Sequence, residues 1–298
     1  MTHKRLLVIL GPTAVGKTAL SILLAKKYNT EIVSADSRQF FKELNIGTAK
    51  PSDAERNEVP HHFINSHSIE TDFKVGNYEV EALEKINLLF TEKDLVILTG
   101  GSGLYINAVC DGIDALPAGD EAIRATLNDT FKTHGLAALV AELKVLDPVY
   151  FSQVDLSNPH RIIRALEVCL ITGQPYSSFR IKTKKERPFS ILKIGLNLPR
   201  EQLYQRINDR VDAMIASGLV DEAKSLFSKR HLNPLHTVGY TELFNFMEGS
   251  LTLEAAIAKI KQNTRNYAKR QLTWFNKDQA VYWFEPGDLD VIMALVEK

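Results

Sequence analysis

Cysteine is scarce in this 298-residue chain, which has two, Cys110 and Cys169. They lie far apart and neither belongs to a C-x-x-C spacing. That excludes a disulfide scaffold and a cysteine metal site, and both are expected to be buried apolar thiols. Net charge is missing too, because 36 basic and 36 acidic residues cancel. No global field therefore draws in a polyanion, and a nucleic-acid partner would have to be met by a local patch. No apolar run reaches the length of a membrane span. The first apolar run leads into a glycine-rich loop and not into a cleavage site, so no signal peptide is expected. Internal repeats and low-complexity tracts are absent. With 45% hydrophobic residues, the chain can build one large or two modest cores, and a cytoplasmic enzyme is expected.

The most informative stretch is near the start. The run Leu6-Leu7-Val8-Ile9-Leu10 leads into Gly11-Pro12-Thr13-Ala14-Val15-Gly16-Lys17-Thr18 and then a helix-type segment. This matches G-x-x-x-x-G-K-[ST], the phosphate-binding loop. Its glycines let successive N–H groups turn toward an anion, and the following helix adds the positive end of its dipole. Lys17 supplies a point charge and Thr18 a hydroxyl suited to Mg²⁺. A phosphate or pyrophosphate ligand follows, though the loop does not say of which compound.

Downstream patterns extend an α/β reading. A strand over 31–35 ends at Asp36, followed by Ser37-Arg38-Gln39. Strand ends in open sheets face the ligand crevice, which sets Asp36 beside the phosphate loop. The loop 45–51 carries Lys50, a candidate ligand clamp. His61 and His62 are adjacent on an extended segment and so point to opposite faces, which disfavours joint metal ligation. A helix over 78–90 has Val80, Leu83, Ile86, Leu89 and Phe90 as its apolar stripe. A strand over 94–98 ends in Thr99-Gly100-Gly101-Ser102-Gly103, a second glycine-rich turn at the same edge.

The pattern turns helical over 115–190. Helices are expected at 121–132 and 136–146, and another starts at Pro159 with Arg161 and Arg164 on one face. The basic run Arg180, Lys182, Lys184, Lys185, Arg187 and Lys193 is a solvated face that also suits a polyanion. A strand over 191–198 resumes the sheet. Helices follow over 200–217, with Gly218 as its cap and Arg206 and Arg210 one turn apart, and over 221–229. The segment 253–275 is one basic helix, whose Lys261, Arg265 and Lys269 form a cationic stripe beside Tyr267 and Trp274. A last strand covers 280–284. The fold expected is a P-loop NTPase-like core, 1–114 plus 191–298, with a parallel sheet flanked by helices. An all-helical insertion covers 115–190.

These motifs together resemble the tRNA dimethylallyltransferase (isopentenyl-tRNA transferase) family, bacterial type without a zinc finger. The phosphate loop, Ala-Asp-Ser-Arg-Gln at 35–39 and Ile-Gly-Thr-Ala-Lys-Pro at 46–51 carry the resemblance. So do Pro-His-His at 60–62, Thr-Gly-Gly-Ser-Gly-Leu-Tyr at 99–105, Asn-Pro-His-Arg-Ile-Ile-Arg-Ala-Leu-Glu-Val at 158–168, Val-Gly-Tyr at 238–240 and Arg-Asn-Tyr-Ala-Lys-Arg-Gln-Leu-Thr-Trp-Phe at 265–275. The chain departs from the usual pattern at Arg38 (usually Met), Phe40-Phe41 (Val-Tyr), Ser102 (Thr), Thr241 (Arg) and Asn276 (Arg).

The resemblance implies transfer of a dimethylallyl group from dimethylallyl diphosphate to N6 of the adenosine 3′ of the anticodon, with Mg²⁺ assisting and pyrophosphate leaving. It implies a catalytic set of Asp36, Thr99, Lys17 and Arg210, with Arg206 as the fallback for Arg210. The diphosphate falls to residues 11–18, with Thr18 on Mg²⁺. The tRNA falls to Asp36, Ser37, Arg38, Gln39, Ser102, Arg124, Arg161, Ile162, Ile163 and Arg164, while the cationic stripe adds Arg265 and Lys269. A monomer is expected, with tRNA and dimethylallyl diphosphate as partners and no membrane. The adenine has to leave its stack to reach the reacting carbon. An ATP-dependent small-molecule or nucleoside kinase also explains Lys17 and Thr18 but leaves the basic helix idle. A non-enzymatic RNA-binding module explains that helix but not Asp36.

Overall fold

In the computed structural model, residues 4–181 and 183–298 are described. Six strands form one parallel sheet: β1 (Arg5–Leu10), β2 (Ile32–Ser34), β3 (His61–His62), β4 (Leu95–Gly100), β5 (Ser190–Leu196) and β6 (Val281–Phe284), in the order β3-β2-β4-β1-β5-β6. The helices are α1 (Lys17–Lys27), α2 (Asp53–Glu58), α3 (Val75–Leu89), α4 (Gly103–Asp111), α5 (Glu121–Leu146), α6 (Pro148–Phe151), α7 (Pro159–Thr172), α8 (Arg200–Ala216), α9 (Leu219–Leu226), α10 (Tyr240–Met247), α11 (Leu253–Phe275) and α12 (Leu289–Val296). None is long and apolar enough to cross a membrane among the described residues.

The unbroken apolar run of β1 follows from its central place. Successive side chains point to opposite faces, and both faces are covered. Leu6, Val8 and Leu10 pack with Val33, Leu98, Phe40, Tyr78 and Ile86, while Leu7 and Ile9 pack with Ile97, Ile194, Leu20, Leu24 and Ile207. All the strands run the same way, so the segments after β1, β2 and β4 emerge together at one edge. Leu10 lies in register with Gly100, and Ser34 with Thr99.

Several expectations need correction. On α3 the inward face is Tyr78, Glu79, Ala82 and Ile86, whereas Val80 is exposed. Glu79 is buried because the Arg187 guanidinium bonds it at 3.1 Å. Ser217 caps α8, and Gly218, at φ +98°, is the residue before α9. The helix expected over 221–229 starts at Leu219 and tightens to a 3₁₀ turn at Phe227–Lys229. Helix α12 was missed. The 180–193 run is mostly committed to the protein. Arg180 lies over the Tyr150 and Tyr176 rings, Lys184 pairs with Asp111, Arg187 also donates to Ala108 O and Val109 O, and buried Lys193 bonds Asp278 at 2.7 Å. Lys182 lies outside the described residues.

The chain divides into two compact units, 1–110 with 186–298 and 111–185. The second unit is helical. Gly135, at φ +76°, breaks α5 into the two expected segments. Leu127, Leu139, Leu143, Tyr150, Ile162, Ile163 and Leu166 form its core. Buried Asp147 accepts from Tyr150 N and from Ser177 N and Oγ. Cys110 and Cys169 are buried thiols.

Candidate active site

At the carboxyl edge of the sheet, β1 turns into the phosphate loop. Gly11 sits at φ +143°, and a Cβ there would overlap Leu196 O. Only glycine fits this close approach. Ala14 also takes a left-handed conformation, φ 64°. Such strain costs ~1–2 kcal/mol and persists where surrounding contacts fix the loop. Gly16, at φ +110°, precedes α1 and aims the first N–H groups of that helix into the crevice. Lys17 Nζ donates to Gly11 O at 3.0 Å and Pro12 O at 2.8 Å. Burial pulls this ammonium down to about 8, Asp36 opposing the shift and Arg210 adding to it.

The turn after β2 presents Asp36. Asp36 Oδ1 accepts from Arg38 N at 3.0 Å, fixing the carboxylate to its own turn. Ser37 N donates to Ser102 Oγ at 3.0 Å, and that hydroxyl bonds Ser37 Oγ at 3.1 Å. The turns after β2 and after β4 are thus joined. Tyr267 of α11 lies near Ser102 and Asp36, and burial pushes its phenol up to about 12. Gln39 Nε2 donates to Thr48 O and Ala49 O, so this side chain holds the 45–51 loop. Thr99 Oγ1 donates to Ile9 O at 3.3 Å, across the β1–β4 pair.

From α8, Arg210 reaches Thr13 Oγ1 at 3.3 Å and Ala49 O at 3.4 Å. Burial draws its guanidinium downward and Asp36 opposes that, yet it keeps its charge. Arg206, one turn earlier, approaches Val15 O at 3.5 Å. A cavity of about 340 Å³ is lined by Thr13, Lys17, Thr18, Asp36, Thr99 and Arg210, with His61, Tyr267 and Gln271. It shares Thr13, Asp36, Arg210 and Tyr267 with a second cavity of about 120 Å³, which has the apolar wall Ile207, Val211, Met214, Val238 and Ile260. The chemistry this offers is an anion site beside a carboxylate and an apolar recess.

Other expected site residues sit elsewhere. Ile162 and Ile163 are buried in the core of the second unit, where they pack and present no surface. Arg124 and Arg164 converge there on Glu167, which is buried; their bonds are 2.6 and 2.7 Å, and Arg164 adds Pro117 O. Burial works against that carboxylate, but the two guanidiniums hold it below the usual range. Arg161 is exposed. Of the cationic stripe, Lys261 pairs with Asp212, and Arg265 donates to Asn208 and lies over Tyr204, both through α8. Lys269 remains exposed and lines a groove of about 670 Å³ at the ends of β5 and β6.

Lys50 is no clamp. Its ammonium donates to Phe41 O, Asn45 Oδ1 and Asn65 Oδ1, and burial lowers it to about 8. The 45–51 loop is also gathered by Glu222, which accepts from the N–H groups of Asn45, Ile46 and Gly47 and from Tyr240 Oη. His61 and His62 do part company as an extended pair must: His61 Nδ1 bonds Val59 O and His62 Nε2 bonds Glu31. Among the described residues no group of three or more His, Cys, Asp or Glu side chains could hold a metal ion. Tyr267 and Gln271 were not singled out as site residues. Their spacing of four on one helix face was the available signal.

A family model described as IPP transferase matches residues 39–278. A tRNA dimethylallyltransferase of Cytophaga hutchinsonii is 49% identical over 99% of this chain and 97% of its own. A crystal structure of a full-length tRNA isopentenylpyrophosphate transferase from Bacillus halodurans superposes with a TM-score of 0.72 at 37% identity, covering 99% of this chain and 95% of that one. A eukaryotic dimethylallyltransferase captured acting on tRNA gives a TM-score of 0.76 at 27% identity, covering 96% of this chain and 75% of that one.

Proposed function

This chain belongs to the IPP transferase family, and from that premise we propose that it transfers a dimethylallyl group from dimethylallyl diphosphate to N6 of the adenosine 3′ of the anticodon in tRNA. A kinase is not favoured, since the relatives and structural neighbours are tRNA prenyltransferases. The observation that carries the proposal is the crevice in which the phosphate loop, Arg210 and Asp36 line one cavity.

In the reaction the N6 lone pair forms a bond to the allylic carbon. The carbon–oxygen bond to the diphosphate breaks, its electron pair leaving on the diphosphate oxygen. Negative charge grows on that leaving group, so the main demand is electrostatic. Loop N–H groups, Lys17 and Arg210 meet it. The smaller cavity, with its apolar wall of Val211, Met214 and Ile260, suits the five-carbon chain. N6 becomes cationic as it bonds, and Asp36 stabilises it and accepts its proton. Adenine N6 is a weak nucleophile, so its orientation by Asp36 matters more than proton removal alone.

Mg²⁺ fits the donors present. Thr18 Oγ1 is a hard oxygen lining the crevice beside the phosphate loop, and such a cation takes one or two protein oxygens with the rest from phosphate and water. When bound, the ion neutralises charge on the diphosphate. Arg124, Arg161 and Lys269 are exposed cations among the residues expected to meet tRNA, and they are offered to the RNA backbone by a protein that we take to act as a monomer. A tRNA substrate also supports a cytoplasmic location.

The test mixes the protein with unmodified tRNA, labelled dimethylallyl diphosphate and Mg²⁺. Label is expected on the adenosine beside the anticodon. ATP-dependent phosphoryl transfer with unlabelled tRNA would overturn the reading.

A further inference from the structure

Gln271 of α11 is 5% exposed and ends between the two glycine-rich turns. Its Oε1 accepts from Thr13 N at 2.9 Å, and its Nε2 donates to Gly101 O at 2.9 Å. One amide therefore holds the phosphate loop after β1 to the turn after β4. The site is tight, since a Cβ on Gly101 would overlap Gln271 Nε2 and would come 3.8 Å from Lys17 Nζ. The amide also diverts the Thr13 N–H sideways, so that the loop offers an anion only its later N–H groups. Tyr267, one turn earlier on the same helix face, lines the same cavity. Two successive turns of α11 thus face the crevice.

We propose that Gln271 is a positioning residue that sets the phosphate loop for a diphosphate, acting through Thr13 and Gly101 without touching the ligand. This rests on the function proposed above. An amide is needed because the site presents one donor and one acceptor. A side chain of the same size lacking either leaves a buried polar group unpaired, and the loop shifts to satisfy it.

The experiment measures binding of inorganic pyrophosphate by calorimetry, and transfer kinetics, for the wild type, Gln271→Met and Gln271→Glu. The isosteric Met removes both bonds while keeping volume. It should weaken pyrophosphate binding and raise KM for dimethylallyl diphosphate by about tenfold each, with KM for tRNA unchanged. Glu keeps the acceptor for Thr13 N but sets a carboxylate against Gly101 O. At low pH a protonated Glu donates to Gly101 O and mimics the amide. Its pyrophosphate affinity relative to wild type should therefore recover as pH falls from 8 to 5. A role in stability alone would lower Tm without this pH-dependent recovery. Pyrophosphate affinity equal to wild type in Gln271→Met, or a flat pH ratio for Gln271→Glu, would overturn the inference. Absence of label transfer by the wild type would instead overturn the function on which it rests. Should Gln271→Met not fold, the pH ratio of Gln271→Glu decides.

Discussion

Lys17 holds its proton less firmly than an exposed lysine, because burial outweighs the pull of Asp36. The charged form is the one that binds a diphosphate. With a value near 8, the ammonium is charged below that pH and neutral above it. We therefore expect kcat/KM for dimethylallyl diphosphate, which reports the free enzyme, to fall as pH rises through about 8. Initial rates at low donor concentration between pH 6.5 and 9.5 check this, and a flat profile would refute it. Asp36 makes a separate prediction. Asp36→Ala should lower turnover by roughly 10²- to 10³-fold with tRNA affinity kept. Near-normal turnover would leave the carboxylate with its turn-forming bond to Arg38 as its whole role.

Among the elements, α11 does two jobs on two faces. Its inner face carries Tyr267 and Gln271 into the crevice, and its outer face carries Lys269. The cationic stripe was legible from spacing alone, but only Lys269 of its three members is exposed, because α8 supplies Asp212 and Asn208 to the other two. Lys269→Ala should weaken tRNA binding and make its salt dependence shallower by about one unit of slope. Filter binding across salt concentrations tests this, and an unchanged slope would exclude a phosphate contact there. The 45–51 loop shows the same limit of sequence reading. Its motif was visible, but Glu222 and Tyr240, which hold it, come from α9 and α10 far along the chain.

On the scale of the molecule, one parallel sheet brings three strand ends to one edge, and a helical unit is set into the chain between α4 and β5. That unit keeps its shape through a carboxylate buried under two arginines. Glu167→Ala should destabilise it by about 2 kcal/mol, since charged hydrogen bonds are lost and Arg124 and Arg164 are open enough to rehydrate. The Glu167 carboxyl sits below its ordinary value. Its contribution is then complete above the unfolded value near 4.3 and fades as pH falls through the folded one. Calorimetry of wild type and variant at pH 7 and pH 3 checks this: the difference in Tm should shrink at the lower pH. A constant difference would mean that packing, not charge, is what the substitution removes.

The sequence by itself determined the phosphate loop, the alternation of strands and helices, the helical insertion and the carboxylate at the end of β2. All of these rest on local rules: glycine at a forced turn, period 2 against period 3.6, a strand end at a crevice. It put Val80 on the inward face of α3, where Glu79 is buried instead because Arg187 lies beside it, while Ile86 and Phe90 are in the core and Leu83 and Leu89 pack against it as the pattern indicates. It also counted Ile162 and Ile163 among the groups that meet tRNA, where the fold packs them into the core of the second unit, and it gave no sign that Arg124 and Arg164 converge on a buried Glu167. Only the tertiary structure decided the partners of Gln271, Tyr267, Glu222 and Lys50. Gln271 and Glu222 join segments remote in the chain and Lys50 gathers nearer ones, and whether a polar side chain meets a ligand or another residue depends on what the fold sets against it.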